Sequence, residues 1–225
     1  MSNTLRACIF DMDGTMVKNH EFHLQAWIQF WEKHGVKVSR EQMLAHFGRK
    51  NREIIEAISG VSYSDNAAEA LAAEKEELYR ELYKPHVKAV DGLPELLECL
   101  RKSGIKIALA TSAPRANVDF ILDALGLRTL FDCIVDASMV DRGKPHPDIF
   151  LKAAACAGAL PAHCLVFEDA NAGLEASRRA GCRVVALLTT HNRQELGEAD
   201  FYIKDFTEWP LAARHLGLKG ICEGL

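Results

Sequence analysis

The chain contains no run of about 18 apolar residues, the length that would span a bilayer, so no membrane span is expected. It has no basic excess either. Lys and Arg number 27 against 31 Asp and Glu, a formal net charge of −4, which argues against a nucleic-acid partner whose phosphates would favour a basic face. Residues 1–6 carry no apolar stretch ahead of a cleavage site, so no secretory signal is read and a cytoplasmic location is expected. The seven cysteines include no CxxC pair, their number is odd, and most are flanked by Ile, Val, Leu or Ala. They read as small buried hydrophobes in a reducing compartment, not as a disulfide framework or a zinc site. Internal repeats and low-complexity segments are also missing.

What is present is an ordinary globular balance: 225 residues, 48% hydrophobic and 26% charged, enough for one large domain or a domain with a modest insertion. Short apolar runs recur at Ala7–Phe10, Ile105–Ala110, Cys133–Val135, Cys164–Phe167 and Val184–Leu188. They are too short for helices and lack polar alternation, which suits strands buried on both faces of a parallel sheet. Helical patterns lie between the later runs, at Leu93–Lys102, Asn117–Leu125, Asp148–Ala157 and Gly173–Ala180, with Gly104, Gly126, Gly158 and Gly181 placed as stops. Strand and helix alternating in this way predict a doubly wound α/β sheet.

The first interval breaks the rhythm. From Met16 to about Lys88 no strand is convincing, and the segment reads as helices at His23–His34, Arg40–Ala45, Glu53–Ser59 and Asn66–Tyr83. Ser39 with Gln42 forms a capping-box pattern, and Glu76 with Arg80 is placed as an i,i+4 pair on an exposed face. Leu24, Trp27, Ile28, Phe30 and Trp31 give the first of these helices a broad apolar face, read as core packing. The expected organisation is therefore an α/β core of residues 1–16 and 89–225 with a small α-helical domain, residues 17–88, inserted after the first strand.

In an open parallel sheet, ligands bind beyond the carboxyl ends of the strands. Beyond the first strand stands Asp11-Met12-Asp13-Gly14-Thr15, beyond the second Thr111-Ser112, beyond the third Lys144-Pro145, and beyond the fourth Glu168-Asp169. Taken singly, each is better read as a turn, a helix cap or a solvated lysine. Jointly, at four strand ends, they are better read as a site. Asp11, Asp169 and Glu168 offer an all-oxygen donor set suited to Mg²⁺, since converging carboxylates do not all stay ionised without a cation. A phosphate would find Lys144 and Thr111. Asp11 can attack phosphorus, and Asp13 can protonate the leaving oxygen and then activate water or another hydroxyl. Gly14 would let the chain turn sharply beside them.

These segments resemble the four motifs of the haloacid dehalogenase (HAD) superfamily, in its phosphatase branch that includes β-phosphoglucomutase-like proteins. Phe10-Asp11-Met12-Asp13-Gly14-Thr15 is similar to the first motif and Thr111-Ser112 to the second. Gly143-Lys144-Pro145-His146-Pro147-Asp148-Ile149-Phe150 is similar to the third, and Phe167-Glu168-Asp169-Ala170-Asn171-Ala172-Gly173 to the fourth. The helical insertion matches the family's small cap. The resemblance implies a Rossmann-like core and phosphorylation of Asp11. Asp13 would be acid/base and would ligate metal through its backbone carbonyl, and Asp169 would bind Mg²⁺ directly. Glu168 would be a supporting ligand or a neighbour of one. Thr111 and Lys144 would hold the phosphoryl group, with Ser112 and Asn117 lining it. His23 lies where relatives place a histidine against the acid/base aspartate; packing is an equal reading.

Departures bear on substrate. Lys18-Asn19 stands where many relatives have Asp followed by Ser or Thr. Aligned on Gly48, the positions where sugar-phosphate mutases are basic hold Phe47 and Asn51, although Arg49, Lys50 and Arg52 lie close by. The expected function is a magnesium-dependent phosphatase acting on a small phosphorylated metabolite, as a monomer or small homo-oligomer. The alternatives are a β-phosphoglucomutase-like phosphomutase and a non-catalytic phosphate-sensing module. His23, Trp27, Arg49, Lys50 and Arg52 are the cap candidates for substrate choice.

Overall fold

The computed structural model describes residues 5–46, 49–218 and 220–222. Within them the chain divides into two units, residues 1–18 with 88–225 and residues 19–87. Phe47 and Gly48, used above to place the mutase positions, lie outside the described residues.

The first unit is built on six parallel strands: β1 (Ala7–Phe10), β2 (Lys106–Ala110), β3 (Cys133–Val135), β4 (Cys164–Glu168), β5 (Arg183–Leu187) and β6 (Phe201–Ile203). Their order across the sheet is β3-β2-β1-β4-β5-β6. β1 therefore sits between β2 and β4, in the register Phe10↔Leu109 and Phe10↔Phe167. That order reverses direction at β1, which makes its carboxyl end the switch point where the outgoing connections diverge. The five apolar runs read from the sequence all form strands, because a strand covered on both faces needs Val, Ile, Leu and Phe at consecutive positions.

Side-chain alternation sorts these strands into two cores. Ala7 and Ile9 of β1 join Ala108, Ala110 and Val166 on one face, covered by Ile149, Phe150 and Ala153 of α7 (Asp148–Cys156) and Leu174 and Ala176 of α8 (Asn171–Arg179). On the other face Phe10 stacks on Phe167 with centroids 4.7 Å apart, and both meet Phe206 at 5.8 and 5.4 Å. Trp209, the first residue of α9 (Trp209–His215), closes this row 5.8 Å from Phe167. α5 (Leu93–Lys102) and α6 (Arg115–Leu125) complete the unit. Gly104, Gly126, Gly158 and Gly181 all take positive φ, between 67° and 82°, just past helix ends.

The second unit is all helical: α1 (His20–Lys33), α2 (Arg40–Leu44), α3 (Asn51–Ser59) and α4 (Asp65–Tyr83). Leu24, Trp27, Phe30 and Trp31 form its core with Met43, Ile54 and Ile55. The capping box forms at α2: Ser39 Oγ accepts from the Gln42 amide, and the Gln42 side chain accepts from the Ser39 amide at 2.8 Å. Among the described residues no helix is long and apolar enough to cross a membrane.

Two sequence expectations are corrected. Glu76 is not on an exposed face; it is buried, accepting from Lys75 at 2.7 Å and from Asn51 at 2.8 Å. α4 is rich in Ala, Glu and Lys, so its pattern does not mark which charged residue turns inward. Four of the seven cysteines are paired, Cys99 with Cys222 and Cys133 with Cys156; Cys8, Cys164 and Cys182 are free and buried. Pairing follows Cβ proximity in the fold, here between a strand and a helix packed on it and between α5 and the C-terminal segment. Separations of 23 and 123 residues carry no spacing signal for it.

Candidate active site

β1 delivers Asp11. The Asp11 amide donates to the Phe167 carbonyl at 3.0 Å, the last rung of the ladder between β1 and β4. Its side chain therefore leaves the sheet where strand pairing stops, and it is only 6% exposed. β4 ends on Glu168, and Asp169 follows. Asp11, Glu168 and Asp169 each present a carboxylate oxygen within 4.8 Å of the other two, and all three residues are buried.

Lys144 arrives from the loop before α7 and touches two of the three. Its Nζ lies 2.6 Å from Asp11 Oδ1 and 2.6 Å from Glu168 Oε1. Burial works against the ammonium, but the two carboxylates overcome it and raise the Lys144 pKa further above its ordinary value. Lys144 therefore stays charged at any working pH. Burial also dominates at Asp11, pushing its pKa well above the usual carboxylate range. Lys144 opposes that rise, and Glu168 and Asp169 add to it. Asp169 is pushed to about 7, by burial first and the Glu168 charge second, against hydrogen bonds from Thr190 and Thr15. The cluster is thus short of positive charge.

Glu168 has a definite job. Its Oε2 accepts from the amides of Asp169 and Ala170 at 2.7 and 2.8 Å, while Oε1 takes Lys144. Gly173 makes room for this carboxylate, since a Cβ there would overlap it. Glu168 orients Lys144 and shapes the turn that presents Asp169. Asp169 itself accepts from Thr15 Oγ1 at 3.1 Å on Oδ1. Gly14, at φ +83°, passes beneath it with no room for a side chain. Asp13 is part of the same turn and is half-buried, in a bridge with Val17.

Beyond β2, Thr111 is 1% exposed, and its Oγ1 accepts from the Ala113 amide at 3.0 Å. Its amide continues the ladder to Val135. Ser112 is exposed on the turn, and Asn117 is fully buried in the first turns of α6. The ends of β1 and β4 and the loop before α7 thus bring Asp11, Lys144, Glu168 and Asp169 into contact, with Thr111 at the adjoining end of β2. A family model described as haloacid dehalogenase-like hydrolase matches residues 5–181.

The chain belongs to the haloacid dehalogenase-like hydrolases. This HAD-like hydrolase is 34% identical over 214 residues to validoxylamine A 7'-phosphate phosphatase of Streptomyces hygroscopicus subsp. limoneus, covering 94% of this chain and 98% of that one. It is 30% identical over 220 residues to β-phosphoglucomutase of Bacillus subtilis, with 94% of each covered. Among solved structures, a HAD hydrolase of family IA, variant 3, from Entamoeba histolytica superposes with a TM-score of 0.85. The two are 32% identical, covering 91% of this chain and 95% of that one. This HAD-like hydrolase is an enzyme of the hydrolase or phosphotransferase kind, with a six-stranded Rossmann-like core and the β-phosphoglucomutase-like branch as its neighbourhood.

Sequence reasoning missed two groups in the HAD-like hydrolase. One is Thr189 and Thr190, just beyond β5: Thr189 Oγ1 donates to the Gly14 carbonyl, and Thr190 Oγ1 donates to Asp169 Oδ2 at 2.6 Å. The strand-end rule that found the other four segments points to this fifth one as well. The other is Lys75 in the helical unit, 2% exposed, 3.1 Å from His23 Nδ1 and 5.0 Å over the Trp27 ring. His23 stacks on Tyr79 with centroids 3.7 Å apart. Of the other cap candidates, Trp27 is core, and Arg52 pairs with Glu56 and Asp65. Arg49 and Lys50 are exposed.

Proposed function

We propose that this enzyme is a magnesium-dependent phosphatase that hydrolyses a small phosphorylated metabolite through a phosphoryl group carried on Asp11. The observation that carries the reading is the buried trio Asp11, Glu168 and Asp169, three carboxylates with one lysine touching two of them.

The donor set fits a divalent cation. Octahedral Mg²⁺ with oxygens at about 2.1 Å places any two of them no more than about 4.2 Å apart, which the 4.8 Å limit on this cluster accommodates with little movement. Asp11 and Asp169 would hold it, with the Asp13 main-chain carbonyl. Glu168 is already engaged by Lys144 and two amides, so its part is to support. Bound Mg²⁺ would supply charge neutralisation between the carboxylates and an incoming phosphate.

The chain's own residues then do the following. Lys144 holds the phosphoryl oxygens and lowers the repulsion Asp11 meets on approach. Asp11 attacks phosphorus, and the bond to the leaving oxygen breaks as Asp13 donates a proton to it. Asp13, now a base, takes a proton from water, and water displaces the phosphoryl group from Asp11 as inorganic phosphate. Thr111, with Ser112 and Asn117, belongs to the phosphate-holding group in this reading.

The activity named for the Streptomyces relative, release of phosphate from a phosphorylated small molecule, favours a sugar phosphate or similar substrate. A second reading has a specific support, the Bacillus β-phosphoglucomutase. Against it, Asn51 stands at a position read as basic in the mutases, and its amide is committed to Glu76. A phosphate-release screen over sugar phosphates, nucleotides, phosphoglycolate and pyrophosphate, with and without Mg²⁺, tests both. Magnesium-dependent release from some ester, abolished in Asp11→Asn, is expected. Conversion of β-glucose 1-phosphate to glucose 6-phosphate with little free phosphate would favour the mutase, and full activity of Asp11→Asn would sink both.

A further inference from the structure

We propose that Thr189 and Thr190 are positioning residues, a two-hydroxyl clasp that fixes the Asp169 carboxylate and the turn beneath it for the divalent cation; this rests on the phosphatase reading above.

The clasp hangs from the carboxyl end of β5. β5 pairs with β4 through Glu168↔Ala186, and beyond it the Leu188 amide donates to the Ile203 carbonyl at 2.8 Å. The backbone just ahead of Thr189 is therefore held by strand pairing on one side and by β6 on the other. Thr189 Oγ1 donates to the Gly14 carbonyl, and the next residue, Thr190, donates to Asp169 Oδ2 at 2.6 Å. Thr190 Oγ1 also lies 3.1 Å from the Asp169 carbonyl and 2.9 Å from His191 Nδ1. His191 Nδ1 in turn lies 3.2 Å from that carbonyl.

Consider what this does to the carboxylate. Thr15 bonds Oδ1 and Thr190 bonds Oδ2, so both ends of the carboxylate are tied and its plane cannot rotate. Threonine suits the task because its branched Cβ restricts χ1, which keeps each hydroxyl aimed. Beneath it, Gly14 has no room for a side chain against Asp169, so the turn and the carboxylate must keep a fixed spacing. Thr189 holds the turn and Thr190 holds the carboxylate. A segment outside the four motif-like strand ends thus sets the geometry between two of them. Partners of this kind, which orient a metal ligand without touching the metal, typically change metal affinity about 10–100-fold when removed.

The test is Mg²⁺ binding to the substrate-free full chain by titration calorimetry, with phosphate release measured in parallel over a range of Mg²⁺ concentrations. Thr190→Val, which keeps the shape and removes the hydroxyl, should weaken Mg²⁺ binding by about 10–100-fold. The Mg²⁺ concentration for half-maximal turnover should rise in proportion, with the plateau rate largely regained at saturation. Thr190→Ser should recover most of the affinity, and Thr189→Val should show a weaker loss of the same kind. Melting in chelator shows that each variant is folded, and should Thr190→Val not fold, Thr190→Ser and Thr189→Val decide the matter. Unchanged or tighter Mg²⁺ binding in the valine variants overturns the clasp while leaving the phosphatase reading in place. If the wild-type chain binds no Mg²⁺ at all, both fall.

Discussion

Replacing Lys144 with methionine removes the cation from between Asp11 and Glu168 while keeping most of the side chain's apolar stem against Phe150, whose ring lies 5.1 Å from Nζ. Both carboxylates stay buried. Removing one partner from a buried ion pair costs roughly 3–5 kcal/mol when the other remains charged. A carboxylate can avoid that cost by taking up a proton, at about 1.36 kcal/mol for each pH unit above its ordinary pKa. Starting from 3.8 for Asp11, that route costs about 6 kcal/mol at pH 8 but only about 2 kcal/mol at pH 5.5. Lys144→Met should therefore lose about 3–5 kcal/mol of folding stability at pH 8 and no more than about 2 kcal/mol at pH 5.5, where wild-type Asp11, its pKa already raised, bears part of the same protonation cost.

The sign follows from proton linkage. Asp11 and Asp169 have folded pKa values above their unfolded ones. Between those values the folded state binds more protons, so stability falls as pH rises through that window. Without Lys144 the Asp11 value climbs further and the fall steepens. Urea unfolding in chelator at the two pH values, for wild type and variant, measures it, and saturating Mg²⁺ at pH 8 should return a large part of the loss. An equal loss at both pH values, or none at pH 8, would refute the electrostatic account of the cluster.

Three further outcomes are expected. Because Asp169 carries a pKa of about 7, protons compete with Mg²⁺ there, and the rise in Tm given by a fixed Mg²⁺ concentration should be full above pH 8 and shrink as pH falls through 7; a pH-independent rise would contradict this. Gly14→Ala should destabilise by at least the roughly 1–2 kcal/mol of a left-handed alanine and weaken Mg²⁺ binding, since its Cβ would meet the Asp169 carboxylate; calorimetry reads both. Protein purified without reductant and then denatured should titrate three thiols, rising to seven after reduction, given two pairs among seven cysteines; seven at the outset would show that the pairs do not form.

Much of the fold is legible because burial on both faces writes itself into composition. Residues such as Ile9, Phe10, Val166 and Phe167 leave no other economical placement. β6 was not read: it is three residues long, at the sheet edge, and half-exposed at Phe201 and Tyr202. α9 was also missed; it is seven residues, with Pro210 near its start. At the site, Asp11, Glu168 and Asp169 were legible because charge at the end of an apolar run is unusual, and Lys144 because it stands on the loop between β3 and α7 at the same side of the sheet. Thr189 and Thr190 stand at a fifth strand end, where position marks them but residue type does not, since uncharged hydroxyls after a strand are common in turns. Lys75 was hidden for a related reason: on a helix rich in Ala, Glu and Lys, only the packing of Trp27, His23 and Tyr79 around it shows that it points inward.

The central claim is that Asp11 carries the phosphoryl group, and trapping that bond tests it most directly. Enzyme mixed with Mg²⁺ and a substrate found in the screen, quenched in acid within the first turnover and reduced with borohydride, would convert an acyl phosphate to homoserine. Peptide mass mapping should find that change at position 11, in a substrate-dependent amount, and not in Asp11→Asn. Full phosphate release with an unmodified Asp11, or the change appearing at another carboxylate, would contradict the account.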